Sequence, residues 1–468
     1  MITRSEVEQH RSRQSCWVII NDHVYDVTEF VDEHPGGANV ILRYAGKDAT
    51  EAFEPLHPSD TLERHLQPSQ MLGPVTGLSA TKSDAKTSEP IETSALQQSK
   101  KIRLSSIISL DDFESGAAKV LDPRQYAFFA TGAEDEHALK RNRESWNSVR
   151  FRPRVLRPID QIDLSCTLLG TNFAAPFFIS PAGGGKLANP KGEVLLTKAA
   201  GKHGVLHWVC NNAGCTKEQM ADTRAPNQTL FWQVYVKADL KASEREVREA
   251  ITLGYKAFAL TVDAIRPGKR ETDIRVSLAE DEAAAADAED EEENSGSFAR
   301  APTVKRPPVW SSFDWISAIK WMRNLTDLPI AVKGIQCWED AALCMQHGAH
   351  PWLSNHGGRQ LDGAPSAVDT LLEIRANCPE VFEKCEVVVD GGIRRGSDVI
   401  KALALGAKGV GLGRSFLYAL VLGEPGISKA IRILQHEMET TMALLGVSSL
   451  RQLSQSYVSP YASIRSVR

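Results

Sequence analysis

Eight short runs rich in β-branched and aromatic residues recur along the chain, at 176–181, 205–209, 230–236, 257–263, 329–334, 351–357, 386–392 and 409–413. Most are separated by stretches long enough for a helix. Strand–helix alternation of this kind builds parallel βαβ units. Eight such units predict an α/β chain closed into a (β/α)₈ barrel, a fold that places its chemistry at the C-terminal ends of the strands.

The rest of the 468 residues divides by composition. Residues 1–76 are dense in aromatics and histidine and read as a small separate domain. Residues 77–104 are polar and rich in Ser, Thr and Lys, without apolar periodicity, and read as a flexible linker. The barrel is assigned to 105–468. Within it, about 278–305 holds Ala283 to Ala286 and the acidic run Glu289-Asp290-Glu291-Glu292-Glu293, and reads as a mobile surface loop. A net charge of −5 without a basic stripe excludes nucleic acid as the expected partner. The eight cysteines form no CxxC pair, as in reduced intracellular proteins. No apolar run approaches the ~18 residues that span a bilayer, and the N-terminus shows no signal core. The expectation is a soluble, intracellular protein, cytoplasmic as written, with no membrane partner.

Polar and charged residues cluster where the barrel would expose them. Gln233 and Tyr235 close the third run, Thr261 and Asp263 the fourth, and Lys333 the fifth. Ser354, His356 and Arg359 end or follow the sixth, Asp390-Gly391-Gly392-Ile393-Arg394 the seventh, and Gly413-Arg414 the eighth. Glycines at 391, 392 and 413 let backbone amides approach a phosphate, and Arg394 and Arg414 add charge-assisted contacts. A cation such as Lys333, near the N1 edge of a flavin, would stabilise the anionic reduced ring. His356 can accept a proton near neutral pH, with a carboxylate such as Asp263 stabilising the imidazolium. Arg359 has the fork geometry for a substrate carboxylate. A lone strand-end Lys or Asp is a structural ion pair about as often as a catalytic group; the ordered set, with His and Arg flanking Gly357-Gly358, is what carries weight.

In the first 76 residues, Cys16-Trp17-Val18-Ile19-Ile20 and Val24-Tyr25-Asp26-Val27 flank Asn21-Asp22-His23, a hairpin signal. His34-Pro35-Gly36-Gly37 follows, and His57-Pro58 lies 23 residues beyond His34. Two histidines in turn-rich segments beside aromatics can approach a haem iron from opposite faces.

These motifs resemble two known families. The His-Pro-Gly-Gly turn with its downstream histidine, Val24 to Phe30 and Ala49-Thr50-Glu51-Ala52-Phe53 resemble the cytochrome b5 domain. That resemblance implies haem b with axial ligands His34 and His57, packed by Phe30 and Phe53. Ser354-Asn355-His356-Gly357-Gly358-Arg359-Gln360, Thr261-Val262-Asp263, Val332-Lys333-Gly334, the Asp390 to Gly396 segment and Gly411-Leu412-Gly413-Arg414 resemble the FMN-dependent 2-hydroxy acid dehydrogenases and oxidases. Together they resemble the flavocytochrome b2 family. The resemblance implies FMN, a 2-hydroxy acid substrate, a c-type cytochrome or other one-electron acceptor, and a homotetramer; it also admits the mitochondrial intermembrane space, though no leader is seen. It implies His356 as base, Asp263 as its support, Arg359 and Arg270 on the carboxylate, and Tyr235 on the hydroxyl. Lys333, Gln233 and Thr261 would contact the flavin ring, with Pro181-Ala182-Gly183 beneath it. Asn211 and Ser354 join the expected cofactor contacts.

Two departures from the family pattern matter. Phe128 stands where the family carries a tyrosine that helps hold the carboxylate, so one hydrogen bond to a charged group is missing. At the second strand end, Val209-Cys210-Asn211-Asn212-Ala213 replaces a Ser/Thr pair and a bulky residue. Small Gly183 and Ala213 suggest room for a substrate larger than lactate.

Overall fold

The computed structural model describes residues 2–32, 34, 38–54, 57, 61–76, 102–237, 239–286 and 313–460. The chain divides into two compact units, Met1–Lys101 with Ala286–Pro307, and Ile102–Ala285 with Pro308–Arg468.

The N-terminal unit is a five-stranded sheet of β1 (Ile2–Thr3), β2 (Arg11–Ser12), β3 (Ser15–Ile20), β4 (His23–Asp26) and β5 (Met71–Thr76), in the order β1-β5-β4-β3-β2. The expected hairpin joins β3 to β4 through Asn21 and Asp22, at φ 50° and 59°. Two successive left-handed residues are what a tight two-residue hairpin needs, and Asn-Asp tolerates them. Cys16, Val18, Ile20, Val27 and Val31 form the core, against which Ile41, Leu42, Phe53 and Leu62 of three short helices pack.

In the second unit, a hairpin of β7 (Cys166–Leu168) and β8 (Thr171–Phe173) follows β6 (Val149–Phe151), which pairs with the C-terminal β17 (Val458–Pro460). Between them lies a closed, all-parallel barrel of β9 (Phe177–Ile179), β10 (Leu206–Val209), β11 (Leu230–Val234), β12 (Phe258–Thr261), β13 (Ile330–Ile335), β14 (His350–Leu353), β15 (Val388–Asp390) and β16 (Gly409–Leu412). Every one of the eight apolar runs forms its strand, in order.

The interior is layered. Phe178, Trp208, Phe231, Ala259, Ala331, Trp352 and Val388 fill it, and Leu168, Leu169 and Phe173 of the hairpin pack into the same cluster. Two residues further along each strand the inward positions turn polar: Ser180, Cys210, Gln233, Thr261, Lys333, Ser354 and Asp390, with Gly411 on β16, all buried. Alternation in a strand makes this inevitable once the apolar layer is set. A dry aromatic floor therefore carries a ring of hydrogen-bonding groups at the C-terminal mouth.

Two sequence expectations change at their edges. The expected loop at 278–305 begins as helix, because Glu271–Ala286 is helical; alanine and glutamate are strong helix formers and carry the helix through 278–286. Residues 287–305 lie outside the described residues, as does the expected linker over 77–101. Its last three residues belong to the barrel unit. Ile102 packs against Gly116, and Leu104–Ser106 is a 3₁₀ turn.

Candidate active site

Lys333 is almost wholly buried, with Nζ 3.0 Å from Ser354 Oγ and 3.7 Å from Asp390 Oδ2. Ser354 Oγ donates to Asp390 Oδ1 at 2.6 Å. Across the ring Gln233 Nε2 donates to Thr261 Oγ1 at 2.9 Å, leaving Gln233 Oε1 buried without a partner. The Ser180 hydroxyl is orphaned too, beside Gly411, where a Cβ would sit 2.2 Å from it. Buried polar atoms are rarely left unpaired without reason. Orphaned groups and a buried ammonium around one mouth suit a polar, electron-accepting ring that takes hydrogen bonds and welcomes positive charge, as a flavin does.

A 3₁₀ turn, His356–Gly358, follows β14. His356, Gly357 and Gly358 all adopt positive φ, at 58°, 67° and 76°. A histidine there is strained, and neighbours hold it. Asn355 Oδ1 accepts from the Gly358 amide at 3.0 Å, and Asn355 and Asn142 exchange side-chain amide bonds at 2.7 and 2.8 Å. Arg414 Nη2 donates to the Gly357 carbonyl at 2.6 Å. Gln360 Nε2 donates to the Asp263 and Arg266 carbonyls, and its Oε1 accepts from the Gly268 amide. The presented imidazole has Nδ1 2.9 Å from Asp263 Oδ1 and Nε2 3.4 Å from the Tyr235 hydroxyl. Asp263 is buried, which pushes its carboxyl pKa up, but Lys333 and His356 outweigh burial and hold it below the usual carboxylate range. It stays anionic and fixes the proton on Nδ1.

Arg359 directs Nη1 to the Phe129 and Thr131 carbonyls, at 3.3 and 3.1 Å. Burial, with Arg270 and Arg414 close by, draws its pKa down to about 9. Two guanidinium groups lie over the Phe128 ring, Arg359 at 5.5 Å and Arg270 at 5.3 Å from its centroid. Arg270 also pairs with Asp273 at 3.4 Å. Phe128 thus stands beside both arginines and brings a ring face but no hydroxyl. Gly184 makes room for it, since a Cβ there would lie 2.8 Å from the ring.

The expected phosphate region assembles only in part. Gly391 and Gly392 take φ 96° and 78°, and a Cβ on Gly392 would overlap the Asn142 carbonyl. Gly413 precedes Arg414, which begins the helix Arg414–Leu420. Arg394 is committed to Glu114 at 2.7 Å, with Nη1 buried and unpartnered.

Three expectations at the first two strand ends change. Asn211 turns away from the barrel axis, its amide on Glu246, which also accepts from Trp232 Nε1 and pairs with Lys237. The inward residue of that strand is Cys210, whose thiol burial pushes up to about 12. Ala213 is 1% exposed and belongs to the apolar cluster that also holds Cys215 and Met220, so packing accounts for its small side chain. Gly183 does not open space for a substrate: a Cβ there would sit 2.4 Å from the Asn212 carbonyl, so backbone approach explains it. Pro181, Ala182 and Gly183 do lie partly exposed at the mouth. Sequence reasoning missed Ser180 and Cys210. Strands buried on both faces read as continuous apolar runs, which hide the parity that would have found them.

In the N-terminal unit the His34 and His57 rings lie 5.9 Å apart. That spacing of ring centroids brings both imidazoles within reach of a single metal ion. His57 stacks on Phe53 at 4.3 Å, and Phe30 meets His34 edge-on at 5.9 Å. His57 Nδ1 lies 3.0 Å from the Phe53 carbonyl, which leaves Nε2 as the free lone pair. Burial lowers the His57 pKa and keeps the ring neutral, despite that carbonyl. Both histidines and both aromatics suit a haem; Pro35, Gly36, Gly37 and Pro58 lie outside the described residues.

Fold and site together define a flavin-dependent oxidoreductase with a haem-binding domain. The family model "FMN-dependent dehydrogenase" matches residues 117–460, and "Cytochrome b5-like Heme/Steroid binding domain" matches 3–76. The chain belongs to the FMN-dependent dehydrogenase family, and its cofactors are FMN and haem. It is 39% identical over 457 residues to L-lactate dehydrogenase (cytochrome) of Wickerhamomyces anomalus, covering 97% of this chain and 79% of that one. It is 37% identical over 366 residues to the peroxisomal (S)-2-hydroxyacid oxidase GLO3 of Arabidopsis thaliana, covering 75% and 96%. The solved recombinant flavin-binding domain of baker's yeast flavocytochrome b2 superposes with a TM-score of 0.71 at 34% identity, covering 80% of this chain and 91% of that one. No described helix is long and apolar enough to cross a membrane.

Proposed function

We propose that the chain oxidises an L-2-hydroxy acid to the 2-oxo acid. The observation that carries this is the line Tyr235–His356–Asp263, set beside Arg359 and the buried Lys333 at one barrel mouth. Arg359, with Arg270, takes the substrate carboxylate. Tyr235 hydrogen-bonds the hydroxyl. His356 Nε2 takes up a proton as C2 is oxidised, and anionic Asp263 stabilises the imidazolium so formed. Lys333, Gln233, Thr261, Ser354 and Ser180 would hold the flavin ring, and Arg414 with Gly391, Gly392 and Gly413 would hold the phosphate. Asp390 steadies Lys333. When bound, FMN supplies the two-electron acceptor, and haem, held by His34 and His57, a one-electron route onward.

The onward acceptor in this proposal is a c-type cytochrome, and the assembly is an intracellular homotetramer; both rest on the family resemblance. Residues 1–76 form the haem domain in this proposal and 102–468 the flavin barrel, joined through 77–101. With Gly183 and Ala213 explained by packing, the departure that still bears on substrate is Phe128, which leaves the carboxylate to the arginines. The test is anaerobic stopped-flow absorbance over a panel of 2-hydroxy acids. Flavin bleaching followed by reduced-haem bands is expected. Flavin reduction without haem reduction would favour an oxygen-using oxidase.

A further inference from the structure

Beneath the Lys333 ammonium lies a residue that neither catalysis nor cofactor contact uses. Trp352, on β14, is completely buried. Its Nε1–H donates to Asp390 Oδ2 at 3.1 Å. That same oxygen lies 3.7 Å from Lys333 Nζ, while Oδ1 is held by Ser354 at 2.6 Å. The Trp352 ring also faces the ammonium, its centroid 5.6 Å from Nζ. One indole therefore does two things to one buried cation: it offers a π face, and its N–H helps to hold the nearest carboxylate oxygen at ion-pair distance rather than in direct hydrogen bond.

We propose that Trp352 is a positioning residue that keeps the charge of Lys333 available to the flavin and so sets the flavin reduction potential. In a buried site the free oxygen of a carboxylate moves to the strongest donor available, and an ammonium outranks the alternatives. With the indole N–H in place, Asp390 Oδ2 is held at 3.7 Å, short of a direct hydrogen bond to Nζ. Without it, the carboxylate closes on Lys333 and cancels charge that stabilises the anionic reduced ring. Trp208 is a built-in comparison. It packs against Trp352 with centroids 4.6 Å apart and ring planes tilted by 53°, and is equally buried, but its Nε1 has no partner.

The inference rests on Lys333 facing the flavin, and its test needs no hydroxy acid, so its failure is separate from failure of the proposed reaction. The holoenzyme is titrated potentiometrically, with flavin and haem followed by their own absorbance. Trp352→Phe keeps a ring and loses the N–H. It should disfavour flavin reduction about tenfold, a fall of about 30 mV for a two-electron couple, and leave the haem potential unchanged. Trp208→Phe should move neither potential. Trp352→Met loses both the N–H and the π face, should shift the flavin at least as far, and decides the matter if the phenylalanine variant does not fold. An unchanged flavin potential in the Trp352 variants, or an equal shift in Trp208→Phe, would overturn the proposal.

Discussion

Single atoms decide most of the chemistry at this barrel mouth. Asp263 stays ionised in a buried place because Lys333 and His356 outweigh desolvation. Asp263→Asn keeps the shape but removes the charge that fixes the His356 tautomer. Substrate-driven flavin reduction in stopped flow should slow by about 10²–10⁴, the usual contribution of a positioned base. Phe128 is the other telling residue, within reach of both Arg270 and Arg359 but without a hydroxyl. Phe128→Tyr should tighten lactate binding at least tenfold, since a hydrogen bond to a charged group is worth about 1.5–3 kcal/mol. Steady-state kinetics checks it; an unchanged KM and rate would mean the carboxylate does not reach residue 128.

Elements bring these atoms together. The helix His137–Asn147 precedes the barrel, yet it supports the catalytic turn through Asn142 and Asn355. It is tied to the helix Ala367–Asn377 by Arg141 and Asp369, at 2.5 and 3.1 Å. Asp369 also closes the N-terminal capping box of its own helix with Ser366. Burial pushes the Asp369 pKa up, but Arg141 and Ser366 hold it below the ordinary range. Its stabilisation is therefore full above about pH 4 and is lost as pH falls through the lower folded value. Asp369→Asn should cost about 1–2 kcal/mol at neutral pH, measured by denaturant unfolding, and the difference from the parent should shrink in acid.

Across the whole molecule, the two units divide the electron's path. His57→Ala should abolish the haem absorbance while flavin reduction by substrate continues at the parental rate, because the residues proposed to act on substrate all lie in the barrel unit. Loss of flavin reduction in that variant would show that the haem unit supports the barrel's chemistry. The proposed tetramer is checked by light scattering on the full chain, where a mass near four times 51.3 kDa is expected.

The sequence alone determined the large features. Eight apolar runs separated by helix-length stretches force a closed parallel barrel, since each run must bury both faces. Asn21-Asp22 between alternating strands forces a hairpin. The polar residues after the runs, His356 and Arg359 among them, could be placed at the mouth because chain order fixes which strand end each follows. What the tertiary structure decided was direction. Asn211 turns outward to Glu246 and Cys210 inward, a parity that a continuous apolar run does not display. Gly183 is small because Asn212 backbone approaches it, and Ala213 because it is core. Arg394 pairs with Glu114, and Asn142 with Asn355, across 280 and 213 residues of chain respectively. Contacts of that kind exist only after the barrel closes, when side chains distant in sequence compete for the same buried space.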